Sequence, residues 1–410
     1  MRREGKSPSP YSTIHMRIKI NRETIEYTCW SLILLILFFQ SILQEFSIIS
    51  NAALLIIAIL QNQKMNKEKS EYLGLVIVWI LFLIGYSILL DNRVDLVIRF
   101  GLIIFFVISA YLWKVDYFCF IKPLFWVSFF LVIGLIGLEI YMFSLSESEY
   151  MFLRDHFFLA NNMGDVFWWD VYYKLELRGT PLVVFVYMLS YVTNVFPYKY
   201  RKSIRALYFV ATILAGNFAY QLALVLFHLV YYIQNSLRTP QLFVRRFFWL
   251  FLFSIIIGGV FITYVSSQME TKKEGSAQTR VDQADVLFDD VARKPVTLFW
   301  GSGLGHTLEV KTPWRDYRGA TYFELQTLYV FNQLGLINFM ILVLANLFLA
   351  IKYIRKKELI MVYGVYVAYA STNPYIWDTN HVVVITALLC AKTHIITYMR
   401  QHPNRAEIMA

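Results

Sequence analysis

The sequence has few charged residues and few cysteines for its length. Only 16% of the 410 residues are charged, whereas 58% are hydrophobic and 18% aromatic. A soluble domain needs a larger charged surface, so this balance excludes an ordinary soluble enzyme. The three cysteines, Cys29, Cys119 and Cys390, lie in apolar stretches, which favours core positions over a disulfide framework. His-rich and Cys-rich spacings typical of a metal site are also missing, and no bound cofactor is expected.

The chain also lacks the features of a secreted or modular protein. The first apolar run is too long for a cleavable signal peptide and is followed by further runs. No internal repeat and no separate soluble domain are visible. Residues 1–27 are predicted to form a polar cytoplasmic tail, in which 1–15 are disordered and Met16 is an alternative start.

Long apolar runs occupy most of the remaining sequence. A helix of about 20 apolar residues spans the hydrocarbon core of a bilayer. The stretch 203–233 is too long for one span and carries Gly216 and Asn217 at its centre, which predicts two short or broken helices. About twelve spans are predicted, at 28–45, 46–61, 72–90, 94–113, 118–144, 180–197, 203–216, 217–233, 245–265, 327–351, 359–373 and 381–399.

The distribution of Lys and Arg predicts the topology. Basic residues mark cytoplasmic segments, and here they fall in both tails and in every second connection, as in "NQKMNKEKS" and "PYKYRKSIR". This pattern predicts an all-α polytopic membrane protein with both termini in the cytoplasm and its membrane domain at 28–399. Residues 400–410 form the second tail. The net charge of +10 then reports topology rather than nucleic-acid binding.

Two external loops are predicted to be long, at about 145–179 and 266–326. The first contains Trp168 and Trp169 and ends in Arg178, just before the next helix. The aromatic residues are either an interfacial belt or surfaces that stack against sugar rings. Arg178 is either a snorkelling anchor or a ligand for an anionic group.

The second loop contains the segment "TRVDQADVLFDDVARKP". Its spacing places Val281, Ala284, Phe288 and Val291 on one face, which predicts an amphipathic helix on the membrane surface with Arg280 at its start. Asp289 and Asp290 are adjacent, so on a helix they point in different directions and do not suggest a metal site.

A glycine-rich stretch, "GSGLGH", follows this helix. It resembles part of a dinucleotide fingerprint, but no strand–turn–helix unit surrounds it. A turn beneath a ligand or against a helix is the better interpretation. His306 at its end is either an ordinary loop residue or a contact to a sugar.

Glu324 lies at the start of the apolar run "YFELQTLYVFNQLGLINF". An acid beside a membrane boundary is costly and tends to be paired or functional. It is either a helix N-terminal acid favoured by the helix dipole or a general base that faces a cavity.

These motifs, in their order, resemble a known family. An external arginine, an arginine before an amphipathic helix, "KPVTLFWGSGLG", an acid before "YVFNQLGLINF" and a late "STNPY" occur in sequence. The order is similar to that of the bacterial O-antigen polymerase and O-antigen ligase superfamily, most closely the Wzy-type polysaccharide polymerases. Family members often carry His-Asn where this chain has Glu324-Leu325. Since that histidine is most associated with ligases, Glu324 counts against a ligase.

The resemblance implies a GT-C-like helical membrane fold and a metal-independent inverting glycosyltransferase of the inner membrane. Its donor and acceptor would be oligosaccharide repeats on undecaprenyl diphosphate, and its partners membrane lipids and a chain-length regulator. Arg178 and Arg280 would bind the diphosphate and Glu324 would act as base, with the three side chains converging within about 15 Å. Candidate sugar contacts are His306, Trp168, Trp169 and Tyr322.

Two alternatives remain open from the sequence. An O-antigen ligase would have the same fold and donor but would transfer the glycan to lipid A-core. A polysaccharide flippase would also have about twelve spans, but transporters often show internal repeats and a charged central pathway. Arg99, Glu139 and His228 are scattered along the chain instead.

Overall fold

The computed structural model describes most of the chain between residues 21 and 401. The described residues are 21–161, 163–169, 171–193, 196, 198–236, 278–313, 316–321, 323–371, 373 and 375–401. Tyr322, the predicted span 245–265, the start of the second loop and nearly all of both tails lie outside them.

The described residues are mainly helical. The helices are α1 (Arg22–Phe38), α2 (Gln40–Leu43), α3 (Ser47–Asn62), α4 (Lys67–Leu89), α5 (Val94–Ala110), α6 (Tyr117–Met142), α7 (Glu147–Leu153), α8 (Pro181–Val192), α9 (Arg201–Leu214), α10 (Phe218–Ser236), α11 (Gln278–Ala292), α12 (Pro295–Trp300), α13 (Gln326–Tyr353), α14 (Lys357–Ser371) and α15 (Thr379–Gln401). A π-helical turn (Arg154–Leu159) follows α7, and short 3₁₀ turns span Gln44–Phe46 and Tyr198–Tyr200.

Among the described residues, three helices are long and apolar enough to cross a membrane. These are α4, α6 and α13, of 23, 26 and 28 residues. The described fold is therefore mainly helical, with three helices whose length and composition suit a membrane span. The other predicted spans within the described residues also coincide with helices, but several are shorter, such as α9 with 14 residues. The count of twelve spans stays a prediction.

Glycines break the helical path at two places in the described residues. The break predicted at Gly216 and Asn217 is present, because α9 ends at Leu214 and α10 begins at Phe218. A second break was not predicted: within α13, Gly335 has φ 67° and ψ 177°, which is not helical. The 18 residues from 336 to 353 still reach about 27 Å, enough for most of a bilayer.

The helices have one end rich in basic residues, which we call the basic end. There Lys64 Nζ lies 2.6 Å from the buried Glu26 carboxylate, and Lys352 Nζ lies 2.7 Å from Glu68. Lys69 Nζ donates to the carbonyl of Leu112 at 2.6 Å. These contacts bring the ends of α1, α3, α4, α5 and α13 together.

Both long connections lie at the opposite end, which we call the loop end. Gly179 packs directly on the backbone of Phe38, where α1 ends. Thr327, at the start of α13, donates to the carbonyl of Ser371 at the end of α14 (3.1 Å). The 147–177 and 278–325 segments therefore share one side of the bundle.

The first long connection forms a β-hairpin after α7. Strands β1 (Gly164–Trp169) and β2 (Tyr172–Leu177) are antiparallel, with Trp168 opposite Tyr173. Lys174 of β2 is 2% exposed and lies against Gly216, with its Nζ 2.5 Å from Glu176. The buried lysine stem thus fixes the hairpin to the break between α9 and α10.

The second long connection contains the predicted helix, α11, and the face that it buries in the protein is not the apolar face predicted for the membrane surface. Gln283, Leu287 and Val291 are buried, whereas Val281 and Phe288 are half-exposed. The prediction used apolar periodicity alone. Packing against α13 instead buries a stripe with i, i+4 spacing that includes a glutamine, and leaves Phe288 beside Phe331 at 6.1 Å between ring centroids.

Candidate functional site

The second connection is held to α13 by side chains of α11. Gln283 Oε1 accepts the backbone N–H of Leu325 at 3.2 Å, and Asn332 Nδ2 donates to the carbonyl of Leu287 at 3.1 Å. The first half of α13 therefore runs alongside α11 in the same direction. This register places the start of α11 beside the residues that precede α13.

Arg280 and Glu324 form an ion pair at that point. Arg280 Nε lies 3.0 Å from Glu324 Oε2, and the side chains are 43% and 31% exposed. Glu324 lies outside α13, which begins at Gln326, and Leu325 at the cap position makes no side-chain cap. The carboxylate is thus turned towards Arg280, and the pair is exposed enough that it contributes at most about 1 kcal/mol.

A buried hydrogen-bond donor lies behind this ion pair. Gln283 is fully buried three residues after Arg280, and its Nε2 has no hydrogen-bond partner in the part of the chain that the structure describes. A buried amide group without a partner costs about 1–3 kcal/mol.

Asp290 and His306 form a second pair further along α11. His306 Nε2 lies 2.9 Å from Asp290 Oδ2, which also accepts from Asn332 Nδ2 at 3.0 Å. Burial acts to raise the pKa of Asp290, but the hydrogen bonds from His306 and Asn332 outweigh it and hold the pKa below its usual value. The carboxylate therefore remains ionised and ties the glycine-rich stretch to α11.

The glycine-rich stretch is a turn that packs on a helix. Gly301, Gly303 and Gly305 have φ values of 87°, 86° and 74°, in the region that favours glycine. The N–H groups of Ser302 and Gly303 donate to the carbonyls of Asn332 and Gln333, each at 3.0 Å.

The remaining N–H groups of this turn are also used within the protein. Leu304 N–H donates to Ser87 Oγ at 2.7 Å, and Gly305 N–H to Gln333 Oε1 at 3.2 Å. A phosphate-binding loop would leave such groups open for the ligand. The turn is therefore structural, and it occupies the break in α13 at Gly335.

Asp282 anchors the stretch that follows the turn. Its Oδ2 accepts from the hydroxyls of Tyr317 (2.8 Å) and Thr312 (2.7 Å). These bonds, with the Asp290–His306 pair, fix both sides of the 301–320 segment to α11.

The predicted residues of the first connection lie among other elements. Arg178 is exposed just after β2, and its backbone N–H donates to Ser41 Oγ at 3.0 Å. The structure thus joins Arg280 to Glu324, whereas Arg178 lies beside α2. The convergence of all three side chains stays a prediction.

The two tryptophans have different surroundings. Trp168 is 45% exposed and makes edge contacts with Tyr173 and Phe143 (4.9 and 5.8 Å between ring centroids). Trp169 has Lys174 Nζ over its ring, 4.7 Å from the centroid. Trp168 therefore offers an accessible ring, while one face of Trp169 is occupied. Tyr322, the remaining candidate sugar contact, lies outside the described residues.

An apolar groove runs between α11 and the start of α13, next to the Arg280–Glu324 pair. It is open, has a volume of about 380 Å³, and is lined by Phe288, Leu325, Thr327, Leu328, Phe331, Phe339 and Ser371. Leu325, one of its lining residues, directly follows Glu324 in the chain.

Several of these residues carry no signal in the sequence. Gln283 and Asn332 belong to no recognisable motif, Asp290 was considered only as one of two adjacent acids, and only the packing of α11 on α13 shows their roles. Within the described residues, no group of three or more His, Cys, Asp or Glu side chains could hold a metal ion. Comparison of the chain with protein-family models, curated proteins and solved structures finds no match in any of the three.

Proposed function

We propose that the protein is a glycosyltransferase that polymerises lipid-linked oligosaccharide repeats at the periplasmic face of a bacterial inner membrane. The observation that carries this proposal is the contact between Arg280 and Glu324, 44 residues apart in the chain. These are the loop arginine and the helix-start acid of the family pattern that the sequence resembles. A cation for phosphate and a carboxylate for a hydroxyl proton are the two groups that this reaction needs.

The distribution of charge supports the orientation. The basic end carries Lys64, Lys69 and Lys352, as expected for a cytoplasmic side. The loop end then faces the periplasm, with Arg280 and Glu324 on that side. The donor there is a repeat on undecaprenyl diphosphate, because nucleotide sugars are cytoplasmic substrates.

The resting ion pair suggests how donor binding prepares the site. A guanidinium binds two phosphate oxygens at once, and a diphosphate carries more charge than one carboxylate. The donor diphosphate therefore displaces Glu324 from Arg280. The same event releases the carboxylate beside the bound sugar, so the base becomes available only when a donor is present.

The transfer step then balances without a metal ion. The acceptor hydroxyl oxygen attacks the anomeric carbon, and its proton passes to Glu324. The bond between that carbon and the diphosphate oxygen breaks, and its electron pair leaves with the diphosphate, which Arg280 stabilises. Attack opposite the leaving group inverts the anomeric carbon.

The apolar groove supports a lipid-linked substrate. Its lining includes Leu325, the residue after Glu324, and its walls carry Phe288, Phe331 and Phe339. A ligand with an anionic head and an apolar chain fits this combination, with the first isoprene units of the lipid in the groove.

Substitution of Glu324 tests the proposal. Glu324→Gln keeps the size and a hydrogen bond to Arg280 but removes the basic carboxylate. We expect chain growth to fall by about 10² or more at normal protein level, measured as polysaccharide chain lengths on gels from complemented deletion cells. Asp316→Asn is the matched control, since it breaks another exposed ion pair in the same connection, with Arg318 at 2.5 Å.

A normal ladder from the Glu324→Gln protein would contradict the catalytic assignment. The deletion strain itself separates the activities, because loss of a polymerase leaves core carrying one repeat, whereas loss of a ligase leaves bare core. Chain growth by the purified protein without lipid translocation excludes a flippase.

A further inference from the structure

An arginine lies inside one of the predicted spans, at a distance from the Arg280–Glu324 pair in the sequence. Arg99 is five residues after the start of α5, on an exposed face that it shares with Ile98 and Leu102. A charged side chain within a membrane helix is costly and usually marks a functional site. Its position is about 7.5 Å below the helix start, from which an arginine can reach the lipid head groups.

The intrahelical partner of Arg99 is already engaged. Asp95, one turn earlier, binds Arg93 through Nε–Oδ1 and Nη2–Oδ2 contacts of 3.2 and 2.8 Å. No carboxylate within the described ranges lies at ion-pair distance from Arg99. Arg93 is therefore held by a carboxylate at this end of α5, whereas Arg99 has no such ion pair among the described residues.

Arg99 borders the second long connection. The ring of its neighbour Phe100 meets the Tyr329 ring at 5.9 Å between centroids. Tyr329 in turn donates to the carbonyl of His306 at 2.6 Å. Arg99 therefore lies where the membrane-facing surface of α5 meets the turn that organises the loop end.

We propose that Arg99 binds the phosphate group of a second lipid-linked substrate, the acceptor. This inference rests on the proposed polymerase activity. Joining two lipid-linked units requires two diphosphates on the protein together: one departs from the donor sugar, and the other stays attached to the acceptor. Arg280 binds the first, and Arg99, which reaches head-group level from a lipid-facing helix surface, binds the second.

The chemistry of an arginine at this place fits a lipid phosphate better than a soluble anion. Ile98 and Leu102 flank the guanidinium with exposed apolar surface, which suits the chain of a lipid beneath its phosphate. The same chemistry would also attract an ordinary anionic phospholipid, so the experiment must separate the two sources.

Binding stoichiometry gives the first test. The full-length protein in nanodiscs of phosphatidylcholine is titrated with a synthetic polyprenyl diphosphate, and bound lipid is counted by native mass spectrometry. We expect two equivalents for the wild type and one for Arg99→Gln or Arg280→Gln, with Arg93→Gln still binding two. One equivalent in the wild type, or two in Arg99→Gln, overturns the inference.

Phosphatidylglycerol distinguishes the two lipid sources. If the Arg99-dependent equivalent is displaced by nanodiscs rich in phosphatidylglycerol, the site is one for bulk lipid and the inference is wrong. Arg99→Lys keeps the charge and guards against a folding defect, which size-exclusion chromatography also reports. It should retain the second equivalent with weaker binding.

Kinetics separate this inference from the proposed function. With synthetic donor and acceptor, Arg99→Gln should raise the KM for the acceptor by about tenfold or more, while the KM for the donor stays near the wild-type value. Wild-type protein that extends no chain counts against the polymerase. If the wild-type protein extends chains but Arg99→Gln and Arg93→Gln have the same KM for the acceptor, the role of Arg99 is wrong and the polymerase activity still stands.

Discussion

The close backbone contact between Gly301 and Gly335 provides a sharp test of how the loop end is built. A Cβ atom at Gly335 would lie less than 3.0 Å from backbone atoms of Phe299, Trp300 and Gly301. Gly335 also has φ 67° and ψ 177°, a conformation that is essentially restricted to glycine. Gly335→Ala therefore introduces both backbone strain and a clash between two main chains.

The magnitude follows from these two contributions. The disfavoured backbone conformation costs about 1–3 kcal/mol. Forcing two packed segments apart costs about 1–3 kcal/mol more. The sum, about 2–6 kcal/mol, is a large part of the stability of an ordinary domain. We expect a clear fall in the apparent Tm of the detergent-solubilised protein, followed by fluorescence-detected size-exclusion chromatography, and a loss of chain growth because α11 is positioned by the same turn.

Two further variants sharpen the test. Gly364→Ala is the control, since nothing lies within 4 Å of a Cβ at this helical position. It should leave the Tm unchanged or raise it, as alanine is favoured over glycine in a helix by about 1 kcal/mol. Gly301→Ala also pushes the same two backbones apart, so the double variant should cost less than the sum of the single variants. An unchanged Tm for Gly335→Ala, or full additivity in the double variant, would refute this account of the break.

Substitutions at three other residues have outcomes that the structure predicts. Lys174→Met keeps the buried stem and leaves Glu176 to solvent, so it should change the Tm little, whereas Lys174→Ala opens a cavity and should cost about 2–4 kcal/mol in thermal unfolding. Because the pKa of Asp290 is lowered in the folded protein, the ionised carboxylate stabilises the fold above the usual Asp pKa of about 3.9, and this stabilisation is lost as the pH falls below that value. Asp290→Asn should therefore flatten the dependence of Tm on pH in this acidic range. A pH profile of Tm equal to that of the wild type would contradict the role of Asp290. Arg280→Lys keeps the charge but loses the paired donors, so measured donor affinity should fall while protein level stays normal.

Helix positions were largely predictable because apolar runs are a direct physical signal. The break between α9 and α10 was visible in the sequence, since Gly216 and Asn217 interrupt a run too long for one span. Gly335 was not recognised as a break, because a single glycine inside an apolar helix is common. Its backbone is forced out of the helical region by contact with Gly301, which is 34 residues earlier in the chain.

The candidate site was only partly accessible from the sequence. Arg280 and Glu324 were singled out through the family resemblance, but their direct pairing depends on α11 lying alongside α13. Gln283 determines that register, and a polar residue at a buried position opposes the apolar periodicity used to predict the helix face. Asp290 and His306 carry no shared motif, because they are 16 positions apart and the chain between them must first form α12 and the glycine-rich turn.

The exposure of the Arg280–Glu324 pair decides whether the proposed exchange of partners is energetically feasible. Breaking a buried ion pair by removing one partner costs about 3–5 kcal/mol, which would oppose donor binding. The observed pair is 43% and 31% exposed, so water solvates both groups when they separate and the cost is about 1 kcal/mol or less. A diphosphate that makes two charge-assisted hydrogen bonds to Arg280, each stronger than a neutral one, exceeds that cost. Glu324 can then leave Arg280 without destabilising the fold, because Gln283 rather than the ion pair holds the start of α13 to α11.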